Sequence, residues 1–362
     1  MRAVIFGFVL IFLGSCILSE KGTTFSAKHY NAQDDLIRIT GRVQRGDSVA
    51  MFWPATSVLV RFKGNALKAF LRDERGRNYF NVIIDHDSVR YIKLDSGKNY
   101  YTLASGLSDG EHTVELIKRT EWDQGKTWFH GMLVNDGELT TLPEEKKRVI
   151  EFFGNSITAG YAIDDNTGSD NPDSIYTNNY YTYAAITARH FDADLYATVK
   201  SGIGITVSWF PLIMPEMYAR LDPSDSSSRW DFKSVTPQVV VINLLQNDSW
   251  LVKMPDHPSF KQRFGAKAPS ASDIKDAYKR FVQQIRGVYP QAYIICALGS
   301  MDATKAGSPF PMYVSDVVKS LNDPKINTLF FPYTNKPGHP RRADNEAMAR
   351  ILIDYIDKNI KW

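Results

Sequence analysis

Four short stretches hold the residues that could do chemistry: Gly154-Asn155-Ser156-Ile157-Thr158-Ala159-Gly160, Ser201-Gly202-Ile203-Gly204, Gln246-Asn247-Asp248 and Gly338-His339-Pro340. Together they offer a hydroxyl, a glycine turn, a side-chain amide and an imidazole. Acyl transfer needs that set: a nucleophile, donors for an oxyanion and a general base. Singly, each stretch has a plainer reading. A serine after a strand is usually a cap, Gly-x-Gly is usually a turn, and a lone histidine is usually surface or satisfied core. Their weight comes from placement, because each follows an apolar run with the character of a strand. In an open α/β sheet, ligands bind beyond the carboxyl ends of the strands, so the four would share one edge.

A serine hydroxyl is a poor nucleophile until a base takes its proton. Ser156 and His339 are the candidates for that pair. The expected oxyanion donors are the Ser156 amide, a Gly202 or Gly204 amide, and the Asn247 side chain. Asp248 reads as a structural anchor. Trp250 is a candidate for sugar stacking, with core packing an equal alternative. Asp164, Asp165 and Asp170 invite a calcium reading, but the loop 163–174 reads as merely solvated and no metal is expected. His257, between Pro255 and Pro258, is expected at the surface.

The elements that must position these residues change character once along the chain. Over 23–142 the signals are strands and turns. Apolar alternation or β-rich runs at 57–62, 66–71, 79–84, 90–94, 100–104 and 112–117 are separated by Gly- and Asp-rich turns. Short runs at this spacing indicate a sandwich or jelly roll. A polar connector at 143–147 follows. Over 147–362 the period switches: strands at 149–153, 195–199, 239–245, 292–298 and 326–331 alternate with helices at 176–191, 272–288, 312–321 and 341–359. Such alternation argues for a parallel sheet covered on both faces.

Residues 1–22 have the form of a secretory signal peptide: Arg2, then an apolar run from Ala3 to Leu13, too short to span a bilayer. Leu13-Gly14-Ser15-Cys16 resembles a bacterial lipobox, which would make Cys16 a lipid-carrying first residue and place the protein in the periplasm or on the outer membrane. Cys296, in an apolar run, is then the only thiol and is expected to be a buried, inert one. The 362 residues carry a formal charge of +3 and no long basic run, which leaves no nucleic-acid footprint. Hydrophobic residues at 43% and charged residues at 23% exclude disordered, collagenous and multi-pass membrane chains.

The Gly154–Gly160 stretch resembles the first block of the SGNH (GDSL-type) hydrolases, with Asn155 where Asp is usual. Residues 201–204 resemble the second block. Asn247-Asp248 resembles the third, with Leu245 where a glycine is usual, and His339-Pro340 resembles the fifth. The β-rich half, from Gly41-Arg42 through 81–85 to 109–116 and Lys118-Arg119-Thr120-Glu121, is similar to the N-terminal jelly roll of carbohydrate esterase family two. The resemblance implies a jelly roll followed by a flavodoxin-like α/β/α SGNH domain. It implies a serine esterase that removes acetyl groups from xylan and related polysaccharides without cofactor or metal. Its partner would be an acetylated polysaccharide or oligosaccharide, and a lipid anchor would hold it to a membrane. The SGNH pattern places Asp three residues before the histidine. Here that residue is Lys336, which cannot accept from imidazole. A Ser–His dyad is therefore expected, with a backbone carbonyl orienting the ring. Asn335 is the alternative acceptor, and Asp344 is expected to face away. Two further readings remain open: a silent carbohydrate-binding protein, and an esterase for non-sugar acyl esters with a larger pocket near residues 209–213.

Overall fold

The computed structural model describes residues 27–362. The proposed signal peptide and Cys16 lie outside the described residues.

The N-terminal module pairs two antiparallel sheets. One runs β3 (Val43–Arg45), β4 (Val49–Met51), β11 (Thr127–Asn135), β6 (Ala66–Asp73), β9 (Gly97–Ala104), with β1 (Ala27–Asn31) also on β11. The other runs β12 (Glu138–Thr140), β5 (Ser57–Lys63), β10 (Glu111–Lys118), β7 (Tyr79–Ile84), β8 (Ser88–Lys93), with β2 (Ile37–Thr40) also on β5. Alternation sends every second side chain inward. Val58, Val60, Phe62, Val114 and Leu116 of one sheet meet Leu67, Ala69, Leu71, Phe129, Met132 and Val134 of the other in a single core. The module is therefore a β-sandwich.

After the connector, five parallel strands form one sheet: β13 (Arg148–Gly154), β14 (Ala193–Val199), β15 (Val239–Asn243), β16 (Tyr293–Leu298) and β17 (Ile326–Phe330), in the order β14-β13-β15-β16-β17. The helices are α1 (Ser156–Ala159), α2 (Tyr183–His190), α3 (Met214–Met217), α4 (Gln246–Leu251), α5 (Pro258–Phe264), α6 (Ala271–Val288), α7 (Phe310–Leu321) and α8 (Arg342–Asn359). Alternate residues of the strands feed two cores. Phe153, Val240, Ile242 and Cys296 pack with α6 and α7, while Phe152, Val239, Val241 and Ile295 pack with α2 and α8. Burial on both faces explains the near-continuous apolar strands. The strand order reverses at β13, whose end carries Ser156. Such a switch point is where an open α/β sheet leaves a crevice.

The two modules share a core. Ala50, Phe52 and Trp53 of the sandwich pack into the α6–α7 side of the sheet, and the Trp53 indole donates to the Leu221 carbonyl at 2.9 Å. Arg42 locks the joint. It is 2% exposed and pairs with Glu151 of β13, 1% exposed, at 2.6 Å. It also donates to the Tyr218 carbonyl at 2.5 Å, and its guanidinium lies over Trp230 and Phe232.

Removing one partner of a buried ion pair strands the other charge, at a cost of about 3–5 kcal/mol. Arg42→Ala should lower unfolding stability by that amount in urea titrations. Arg42→Met combined with Glu151→Gln should recover most of the loss, because no charge is then left buried and unpaired.

Candidate active site

Local chemistry at the end of β13 forces the chain into a sharp turn. Gly154 ends the strand, and a Cβ there would meet Thr158 Oγ1 at 2.2 Å, so only glycine lets Thr158 fold back. Asn155 caps α1 by accepting from the Ile157 amide at 3.0 Å. The hydrogen bond expected of Asp at this position therefore survives in the amide. Gly160, in left-handed conformation at φ 81°, closes the helix with its amide on the Ser156 carbonyl. The result is a buried Ser156 at the first helical position, where backbone amides lack intrahelical partners.

His339 reaches it from 183 residues away. Its Nε2 lies 2.8 Å from Ser156 Oγ. Its Nδ1 lies 2.7 Å from Asp170 Oδ2. An ionised carboxylate only accepts hydrogen bonds, so Asp170 fixes the tautomer with the proton on Nδ1 and leaves Nε2 to accept from serine. The expectation of a dyad with a carbonyl behind the ring is thus corrected. The acid comes from the loop 163–174, which is built rather than merely solvated. Asn335 is exposed and lies in left-handed backbone, and the ring's two nitrogens are already taken. Asp344 is held elsewhere, by Lys336 at 2.5 Å and by the Arg341 amide at 3.0 Å.

Several contacts build the acid loop. Asp165, 1% exposed, accepts from the Thr167 amide at 2.8 Å and the Asn171 amide at 2.9 Å. Arg341 pairs with Asp170 at 2.9 Å and donates to the Ala162 carbonyl at 2.7 Å. Asp164 is gripped by Arg342 at 2.6 Å and by Arg119 of the sandwich at 3.2 Å. The His339 amide donates to both Asp170 oxygens. Gly338 explains the fit: a Cβ there would sit 2.6 Å from Asp170 Oδ1, and its φ is +77°. Burial opposes ionisation of Asp170, but the bonds and charge of His339, with Arg341, outweigh it and hold its carboxyl well below the usual range. The stability this group contributes is therefore present above the unfolded carboxyl pKa and is lost only as pH falls through the folded one. Tyr161 packs edge-on against the His339 ring at 4.9 Å.

The donor side of the site follows β14 and β15. Gly202, at φ +81°, accepts from the Trp209 amide through its carbonyl at 3.0 Å. Its own amide, like that of Ser156, meets no acceptor among the described residues. Gly204 is corrected: its amide donates to Ser208 Oγ at 2.9 Å. A Cβ on Gly204 would clash with the Val207 carbonyl and with Asp248, so close packing is what requires the glycine. Asn247 gives one amide hydrogen to the Ile203 carbonyl at 2.8 Å and accepts from the Trp209 indole at 3.0 Å, which leaves its second amide hydrogen free for a ligand. Asp248 is the anchor expected: fully buried, it accepts from the amides of Ile205, Thr206 and Val207 and from Thr206 Oγ1. Leu245, where glycine is usual, does sit in left-handed backbone at φ 75°. Its side chain is nonetheless buried in the core.

Trp250 is half-buried and spends its indole N–H on Asp302 at 2.9 Å. The aromatic tied directly to Asn247 is Trp209, whose indole donates to the Asn247 side-chain oxygen. It is 42% exposed and meets His257 edge-on at 5.2 Å. His257 itself is half-buried and caps α5. Cys296 is fully buried and free, with burial pushing its thiol up to about 12. Among the described residues no His, Cys, Asp or Glu cluster has metal-holding geometry.

Replacing the acid of a triad while keeping its shape leaves the wrong tautomer and costs up to about 10⁴ in turnover. Asp170→Asn should fall by about 10²–10⁴ in kcat in an ester-hydrolysis assay, whereas Asn335→Ala should leave the rate unchanged. Gly338→Ala should lose activity alongside Asp170→Asn, although it removes no reacting atom, because its Cβ displaces the carboxylate.

Residues 39–143 match the sequence family described as carbohydrate esterase 2 N-terminal. The chain is 32% identical over 323 residues to "Cellulase/esterase CelE" of Acetivibrio thermocellus, a match covering 86% of this chain and 38% of that longer protein. It is 25% identical over 368 residues, 98% of each chain, to an "Acetylxylan esterase / glucomannan deacetylase" of Cellvibrio japonicus. Among solved structures it resembles a family two carbohydrate esterase from Clostridium thermocellum in complex with cellohexaose, with a TM-score of 0.79 and 30% identity, covering 89% of this chain and 98% of that one. On the strength of that near-complete match and of the N-terminal family match, this chain belongs to the family two carbohydrate esterases of the SGNH type.

Proposed function

We propose that the chain is a carbohydrate O-acetyl esterase that hydrolyses acetyl esters on hemicellulose such as xylan through a serine acyl-enzyme. The observation that carries this reading is the continuous relay from Ser156 Oγ through His339 to Asp170, at 2.8 Å and 2.7 Å. The names of the Cellvibrio relative and the cellohexaose complex support a polysaccharide substrate.

The relay dictates the steps. His339 Nε2 takes the Ser156 proton as Oγ bonds to the acetyl carbonyl carbon, and Asp170 stabilises the imidazolium that forms. Charge develops on the former carbonyl oxygen. The amides of Ser156 and Gly202 and the free hydrogen of Asn247 are the donors assigned to it, each worth about 10²–10³ in rate where such donors have been removed. The tetrahedral species collapses, and His339 gives its proton to the departing sugar oxygen. Acetyl-Ser156 remains. Water then attacks the ester while His339 removes its proton, and acetate leaves with the serine restored. Trp209, exposed beside Asn247, is the platform assigned to a sugar ring, since flat indoles stack on apolar sugar faces. The sandwich is read more finely as a jelly roll. Residues 1–22 are read as an export signal and Cys16 as a lipidation site, which would put the enzyme in the periplasm or on the outer membrane. The apolar run at residues 3–13, behind Arg2, and the lipobox-like sequence support this.

Purified protein should release acetate from acetylated xylan or glucomannan, and Ser156→Ala should release none above background. Turnover should fall steeply from acetyl to longer acyl p-nitrophenyl esters. Equal turnover of long-chain esters, or glycan binding with no acetate released from any acetylated glycan, would overturn the assignment.

A further inference from the structure

One stretch of the sandwich, residues 118–123, runs between the two loops that shape the active site. It leaves β10 and touches both. On one side Arg119 donates to the Ile175 carbonyl at 2.6 Å and pairs with Asp164 at 3.2 Å, so it holds the loop that carries Asp170. On the other side Glu121, only 4% exposed, accepts from the Ser201 amide at 2.5 Å with one oxygen and from the Ser201 hydroxyl with the other. Lys200 adds ion pairs to Glu121 at 3.6 Å and Asp123 at 2.9 Å. Lys118 gathers the stretch from behind. Its ammonium is fully buried and donates to Asn78 Oδ1 and to the carbonyls of Thr120 and Glu121.

The position of this grip matters. Gly154 and Val199 are register partners on β13 and β14, and the Lys200 amide continues the ladder onto the Gly154 carbonyl at 3.2 Å. Residues 200–202 therefore run beside the turn that presents Ser156. Ser201 precedes Gly202, so the peptide group whose N–H belongs to Gly202 has the Ser201 carbonyl at its other end. Consecutive peptide planes meet through two soft dihedrals; pinning both the Ser201 amide and its hydroxyl restrains φ of Ser201 and leaves ψ as the one rotation that sets the next peptide plane. Gly202, lacking a Cβ and set at φ +81°, has no steric preference of its own to hold that plane. Tyr161 packs on the His339 ring, and burial, helped by the charges of Asp170 and Glu121, raises its phenol above the usual range.

We propose that the sandwich is part of the catalytic apparatus rather than an appended module: Glu121 is a positioning residue that aims the Gly202 amide at the oxyanion. The inference rests on the esterase reading above. Glu121 touches no reacting atom, so its effect should appear where charge develops and not in substrate affinity. A donor displaced by about 1 Å can cost up to about 100-fold in rate.

The test compares wild type, Glu121→Ala, Glu121→Gln and Ser201→Ala in p-nitrophenyl acetate hydrolysis. A second readout is the rate at which a p-nitrophenyl phosphonate modifies Ser156, a reaction that builds a charged tetrahedral adduct. Glu121→Ala should lose about 10- to 100-fold in kcat with KM nearly unchanged, and phosphonylation should slow in parallel. Glu121→Gln keeps an acceptor for the Ser201 amide and should restore most of the rate. Ser201→Ala removes only the hydroxyl contact and should fall between wild type and Glu121→Ala, which keeps the test decisive if Glu121→Ala does not fold. An unchanged kcat in both Glu121→Ala and Ser201→Ala, or a loss confined to KM, overturns the inference while leaving the esterase intact. A wild-type protein that neither hydrolyses the acetate ester nor takes the phosphonate overturns the esterase reading and this inference with it.

Discussion

An imidazole strips a proton from serine efficiently when its far nitrogen is held as a donor, and in this chain Asp170 does the holding. The carboxylate is bonded to the ring, to the His339 backbone amide and to Arg341. These contacts tie the histidine loop to the loop after the nucleophile helix. The arrangement keeps the acid next to the base without needing it near the base in sequence. It also explains Gly338, since any larger residue would occupy the space of the carboxylate.

The sheet supplies the rest of the geometry through register. β13 lies between β14 and β15, so the nucleophile turn has the second-block loop on one side and α4 on the other. Asp248 then ties those two neighbours together by accepting from the amides of residues 205–207. The sandwich closes the frame through the Arg42–Glu151 pair and through residues 118–123. The two modules form one body with a shared core, which fits the relatives that match this chain across both.

Much of this was legible in the sequence because the physics is periodic. Val58, Val60 and Phe62 alternate, and the strand they predict is present. The apolar runs of the parallel sheet were equally plain. β4 was missed because it does not alternate between core and solvent: Val49 and Met51 face the sandwich core, while Ala50 faces the catalytic module. β11 was missed because its register shifts between Phe129 and Gly131, which breaks the pattern. The helix expected over 176–191 begins only at Tyr183, because Thr182 caps it and short 3₁₀ turns precede it. Ser156 and His339 could be found from strand exits alone. Asp170 could not, because its position depends on loop conformation and on Arg341, two residues past the histidine. The usable signals were the acid-rich loop directly after the nucleophile helix and the glycine before His339.

The most direct measurement of the central claim is proton NMR of the His339 Nδ1–H. Held by a carboxylate at 2.7 Å, this proton should give a strongly downfield, exchange-protected resonance. The account predicts that the resonance is present in the wild type and in Asn335→Ala and absent in Asp170→Ala. Its survival in Asp170→Ala, or its loss in Asn335→Ala, would contradict the account.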